Sequence, residues 1–186
     1  EITRLYLESG FTFNQILPRS IVGPTIRNLI SLKAANSVAT SSSYNNYCFT
    51  VAGTPNNVDL VSQTADQVSA LFLPSKELKN RITDIANLLK RWPNNKQVIA
   101  EAKTSDLASV LLLASLQNRS IHITGVSNKE DLSLIMTVKE KDPRVTCDVN
   151  VYSMFITQEQ YPEGVFLPTE KDQEFFWKNL DSIDAF

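Results

Sequence analysis

The sequence predicts an α/β fold, a parallel sheet with helices packed on it, and two observations carry that expectation. Short apolar runs suited to strands alternate six times with segments whose apolar residues recur at helical spacing. The strand-like runs, such as CFTVAG (48–53) and SALFL (69–73), are apolar almost throughout, as happens when both faces of a sheet are covered. Two architectures satisfy this pattern, a doubly wound open sheet and a TIM-type (β/α) barrel. A complete barrel normally takes roughly 250 residues, whereas this chain has 186. It opens without an initiator Met and stops on SIDAF, which reads as a strand just beginning. We therefore expect a barrel incomplete at both ends, forming one domain over 1–186.

The elements follow in order. EITRLYLESG (1–10) reads as a helix and TFNQIL (12–17) as a strand. Gly23-Pro24 opens a helix over 24–38, because proline at the first turn gives up an N–H that has no partner there. Its apolar face is Ile26, Leu29, Ile30 and Leu32, and SSSYNNY (41–47) is a polar connector. After the strand at 48–53 come a short helical stretch near 58–67 and the strand at 69–73. The helix at 78–92 buries Ile82, Ile85, Leu88 and Leu89, and Pro93 ends it. QVIAEA (97–102) is a strand, and Thr104 or Ser105 caps the helix that follows, whose Leu111–Leu113 run reads as core. SIHITG (120–125) is a strand, and KEDLSLIMTVKEKD (129–142) is a helix with acids early and lysines late, as its dipole prefers. VTCDVNVY (145–152) is the sixth strand, and Pro168 introduces a last helix.

Composition bounds the function. Hydrophobic residues make up 42% of the chain and charged ones 20%, with 18 basic against 20 acidic residues, a profile of ordinary soluble globular proteins. No basic stripe points to nucleic acid, and no apolar run is long enough to span a membrane. Two cysteines, Cys48 and Cys147, both in apolar runs, suggest buried, inert thiols and a reducing cytoplasm. Asn118-Arg119-Ser120 matches the glycosylation pattern but has no secretory signal behind it.

Catalytic motifs are scarce. The five glycines form neither phosphate-binding pattern, and no GxSxG elbow exists. A Ser-His-Asp triad would have to use His122, which sits between isoleucines in a strand. One histidine and two cysteines cannot build a His-rich zinc centre. Glu101 and Asp148 are the acids at strand ends, where a polar rim or an ion pair accounts for them. Trp92 and Trp177 read as core or interface residues.

The run from SALFLPSKELKNRITDIANLLKRW through NRSIHITGVSNKEDL to VTCDV resembles the dihydroorotase domain of the large multifunctional pyrimidine-synthesis proteins of animals and fungi. The likeness continues through FFWKNLDSIDAF and back to GFTFNQILPRS. It implies a metal-dependent amidohydrolase barrel. It also implies that the metal site is lost. Ala70 stands where the family has the carboxylated lysine that bridges two zinc ions. Glu101 and Gly125, the latter after Thr124, replace two ligand histidines, and Arg19 replaces a substrate-contacting asparagine. The family's His-x-His would precede Glu1 and its catalytic aspartate would follow Phe186, while His122 matches a histidine that is not a ligand.

Without those ligands no metal hydroxide forms near neutral pH. The expectation is a non-catalytic pseudo-dihydroorotase with no cofactor, no metal and no site residues of its own. Fungal versions of the parent protein resemble this pattern, with the degenerate domain between carbamoyl-phosphate synthetase and aspartate transcarbamoylase parts. Its expected partners are the other domains of that polyprotein and a second copy of itself. Phe175-Phe176-Trp177 supplies a residue that must point off the core, because neighbouring helical positions diverge by about 100°. The rival expectations are a site rebuilt around Glu101, Asp148 and Arg19 for a small anion, and a small-molecule sensor.

Overall fold

The structure, a computed structural model, describes residues 2–18, 25–79, 81–163 and 167–186. It is α/β, with six strands in chain order in one sheet and parallel pairing for β1–β2, β2–β3 and β5–β6. This is the fold class expected from the strand–helix alternation. The chain divides into two compact units, Glu1–Glu77 with Arg81–Val98, and Leu78–Asn80 with Ile99–Phe186.

The first unit begins with α1 (Ile2–Glu8), β1 (Phe13–Ile16), α2 (Leu29–Ser42) and β2 (Asn46–Ala52). The helix expected over 24–38 starts later. Asn28 caps it by accepting from the Ser31 amide, and the Ser31 hydroxyl accepts from the Asn28 amide in return, a capping box that sets the start at Leu29. Gly23 and Pro24 lie outside the described residues. Leu32 and Ile26 are buried, but Ile30 is 81% exposed, so the apolar face is narrower than expected. Ser41 and Ser42 belong to the helix rather than to the connector.

Next come α3 (Val58–Val61), a 3-10 turn (Ser62–Gln67) and β3 (Ala70–Leu73), which is buried along its whole length. The helix expected at 78–92 is two pieces, α4 (Ser75–Leu78) and α5 (Ile82–Arg91). Ile85, Leu88 and Leu89 face the core, but Ile82, at the first turn of α5, is 55% exposed. Trp92 is buried and its indole N–H donates to the Gln97 carbonyl at 3.2 Å.

After β4 (Gln97–Ala100), the second unit carries α6 (Thr104–Leu116), β5 (Ile121–Val126), α7 (Lys129–Lys139), β6 (Val145–Val149) and α8 (Glu170–Lys178). Leu107, Val110, Leu111 and Leu113 of α6 are buried, whereas Leu112 is 60% exposed, which corrects the reading of 111–113 as uniformly core. Neither Thr104 nor Ser105 caps α6 with its side chain; the N-cap is Lys103 and makes no such bond. SIDAF does start a strand contact. Ala185 bridges Asp148 in parallel, and the Val149 amide donates to the Ala185 carbonyl at 3.2 Å. Phe176 is fully buried, Phe175 half-buried and Trp177 exposed, the divergence that helical spacing demands. No described helix is long and apolar enough to cross a membrane.

Candidate functional site

In α/β proteins chemistry collects where the strands end and the following loops begin. Ala70 opens β3 opposite Thr50 in register, and both are fully buried. A methyl group there offers no donor atom, and an ionised side chain would be out of water. Glu101 lies half-buried immediately beyond β4. Gly125 lies one residue from the end of β5. Arg19 lies outside the described residues. The aligned positions thus contribute one carboxylate and two groups with no ligating atom, which does not fit a two-zinc centre. Among the described residues no three or more His, Cys, Asp or Glu side chains come together as a metal-holding group.

What the second unit does bring together is His122, Thr124, Gly125, Thr146 and Asp148. The register sets Thr146 opposite His122, and period-two alternation puts Thr146 and Asp148 on one face of β6. Asp148 Oδ2 lies 2.9 Å from His122 Nε2, and Thr146 Oγ1 lies 2.8 Å from His122 Nδ1. The other carboxylate oxygen of Asp148 accepts the Gly125 amide at 2.8 Å. Burial works to raise the Asp148 pKa, but hydrogen bonds from His122, Thr124 and Gly125 outweigh it and hold the carboxyl below its ordinary range. An ionised Asp148 can only accept, so His122 donates from Nε2, and in the neutral ring Nδ1 accepts the Thr146 hydroxyl.

Between Ile123 and Val126 the β5–β6 register slips, and Gly125 takes φ +72°. This is a bulge at a glycine, with its N–H turned onto Asp148. The order Thr146–His122–Asp148 resembles a nucleophile, base and orienting acid. The Gly125 amide that could hold an oxyanion is already spent on Asp148, however. We read the group as a brace between β5 and β6. The sequence carried part of the signal, since alternation pairs His122 with Thr124 and Thr146 with Asp148; the register that joins the two pairs it did not carry.

Asp184 braces the same strand from the other side. It accepts from the Cys147 amide at 2.8 Å and from Lys139 Nζ at 2.6 Å, and these bonds hold its carboxyl low against the opposing effect of burial. Cys147, between Thr146 and Asp148, is fully buried, and burial pushes its thiol up to about 11. It is therefore a packed thiol and not a nucleophile. Trp177 donates from its indole N–H to the Met154 carbonyl at 2.9 Å and meets Phe155 edge-on, with ring centroids 5.8 Å apart.

No family model matches the chain. It is 72% identical over all 186 residues to the Multifunctional protein URA2 of Saccharomyces cerevisiae, and it spans 8% of that protein's length. Among solved structures it superposes with a TM-score of 0.94 and 38% identity on the inactive dihydroorotase-like domain of the Chaetomium thermophilum CAD-like multifunctional protein. That match covers 100% of this chain and 56% of the other. L-Hydantoinase (dihydropyrimidinase) from Arthrobacter aurescens superposes with a TM-score of 0.82 at 13% identity, over 98% of this chain and 51% of its own. At that identity the likeness speaks for the fold alone.

Proposed function

Because the chain belongs to the dihydroorotase-like domains of the fungal multifunctional proteins, we propose that it is a non-catalytic domain, a spacer and self-association module inside a cytoplasmic polyprotein of pyrimidine synthesis. The parent chain would make carbamoyl phosphate from glutamine and then carbamoyl aspartate, with this domain between the two activities. The observation that carries this reading is the chemistry at the aligned ligand positions. Ala70 and Gly125 bring no ligating atom, and Gly125 sits in a backbone conformation that side chains enter only with strain. A rebuilt anion site around Asp148 finds less support, because that carboxylate is already bound to His122 and Gly125 and would repel an anion.

The association role rests on α6. Between Asp106 and Arg119 the chain has no charged residue, the composition of a helix covered on all sides. Yet Leu112 and Leu116 are 60% and 72% exposed, and Leu112 lines one wall of a groove of about 590 Å³ whose other lining residues include Leu134, Val138, Lys141 and Arg144. A ridge next to a groove on one face is self-complementary under a two-fold axis, and two-fold dimers dominate soluble oligomers. The occupant of this face is a second copy.

Two measurements test the reading. Metal analysis and turnover assays with dihydroorotate and with carbamoyl aspartate are expected to find neither paired zinc nor product; two zinc ions per chain, or turnover, would overturn it. Light scattering is expected to give a dimer that the Leu112→Asp/Leu116→Asp variant converts to monomer. A wild-type mass that stays monomeric through a tenfold rise in concentration removes the association role and leaves the spacer.

A further inference from the structure

Asp131 and Asp172 are buried carboxylates on different helices, and each does the same two jobs. Asp131 is the third residue of α7. Its Oδ2 accepts from the side chain of the N-cap Asn128 at 2.7 Å, and its Oδ1 accepts the Thr104 amide, the first of α6, at 2.9 Å. Asp172 is the third residue of α8. Its Oδ2 accepts the Thr169 hydroxyl at 2.6 Å, and its Oδ1 accepts the Lys129 amide, the first of α7, at 2.9 Å. The first amides of a helix have no partner within it. Here each is met by the carboxylate that opens the next helix.

We propose that this repeated contact is a strap: Asp172 holds the start of α7, which seats Asp131, which holds the start of α6, so the loops leaving β4 and β5 move as one body. Thr104 shows what the strap withstands. Its φ of +50° is rare for a β-branched residue, and such strain persists where the surroundings over-determine it. Lys103 adds a direct tie between the two loops, with Nζ donating to Ser127 Oγ at 2.9 Å. The strap does not depend on the domain being inactive, so it stands or falls separately from the proposed function.

Amide hydrogen exchange on the folded protein tests it. Hydrogen bonds to a charged group are worth enough that losing one speeds exchange by about tenfold or more. Asp172→Ala is expected to speed exchange at Lys129 and also at Thr104, which Asp172 does not contact, while core amides such as Ile123 keep their rates. Asp172→Asn retains an acceptor and is expected to restore much of the protection at both. Faster exchange at Lys129 alone would show two independent caps and overturn the strap. An equal rise at every amide, Ile123 included, would show general destabilisation and also overturn it.

Discussion

At the end of β2, Gly53 stands where a Cβ would come within 3.0 Å of Leu71, 3.1 Å of Leu73 and 3.2 Å of Leu88, all three leucines being buried. At the end of β5, Gly125 is glycine for a different reason, its φ of +72° and the amide it turns onto Asp148. Crowding selects the first and backbone conformation the second. The surroundings differ accordingly. Beyond Gly53 the chain is clamped by Asn57, a neutral side chain that accepts the Thr54 amide at 2.7 Å and donates to the Ala52 and Arg27 carbonyls at 2.8 Å each. Beyond Gly125 the clamps are ionised carboxylates. A strand end can thus be held by packing and neutral bonds, or by charge, and the two respond to different insults.

The largest effects should come from the clamps and the core beneath them. Leu89→Ala, at a fully buried position, is expected to cost about 2–5 kcal/mol. Asn57→Ala strands two buried partners, the Thr54 amide and the Ala52 carbonyl, and a part-buried one at Arg27, and should cost about 3 kcal/mol. Asp148→Ala should cost about 1–3 kcal/mol, because the His122 and Asp148 side chains keep 16% and 23% exposure and water relieves part of the loss. Urea midpoints give the ranking, and an Asp148→Ala loss above that of Asn57→Ala would reverse it.

The glycines sharpen the contrast at the next level down. Gly53→Ala should cost about 1–3 kcal/mol by overpacking, and Gly125→Ala about 1–2 kcal/mol for a Cβ in the left-handed region. Asparagine separates the causes, since it tolerates that conformation but is larger. Gly125→Asn should be milder than Gly125→Ala, and Gly53→Asn worse than Gly53→Ala. The same order at both sites would dissolve the distinction.

Local signals explain which parts of this were legible in the sequence. Strand–helix alternation gave every strand to within two or three residues at either end, and α7 and α8 came through because the signals that start them, the Asn128 and Thr169 caps included, lie within a few residues. Errors arose where the deciding partner is distant or the competing local signal is stronger. The Asn28–Ser31 capping box displaced a start assigned to Pro24. The first amide of α6 is capped by Asp131, 27 residues on, which no reading of Thr104-Ser105 could reveal. Leu112 was misplaced for another reason: a helix apolar on all sides has no periodicity to mark its outward face. At the site, the family resemblance pointed to Ala70, Glu101 and Gly125, while the His122–Asp148 brace required the strand register.

Acid should separate the two regions without a substitution at any of the clamping residues. Asp148, Asp172 and Asp184, all in the second unit, are each held below the ordinary carboxylate range in the folded chain. A carboxyl with a depressed folded pKa contributes stability that is present above its unfolded value of about 3.9 and is lost as pH falls through the folded value. The two tryptophans report separately, Trp92 from the first unit and Trp177 from the second. In Trp92→Phe and Trp177→Phe variants, each keeping one reporter, the fluorescence of Trp177 should change first as pH drops below about 4. Trp92 responding first would place the acid-labile contacts in the wrong unit.

The smallest effect is expected at Glu101, the third strand end. The family resemblance puts it, like Gly125, at a ligand position, but its side chain is half-buried rather than enclosed. Neither crowding nor conformation demands a particular residue there. Glu101→Ala should therefore cost no more than about 0.5–1.5 kcal/mol, the range of a single hydrogen bond that water can replace. The comparison with Asp148→Ala is the informative one, because both remove a carboxylate at a strand end of the same sheet. If the bonds from Asp148 to His122 and Gly125 are what hold the end of β5, Asp148→Ala costs more than Glu101→Ala, and Glu101→Ala leaves the acid transition of Trp177 where it was. A Glu101→Ala loss equal to that of Asp148→Ala would mean that Glu101 is itself a clamp, and that the charge-held region extends to the end of β4.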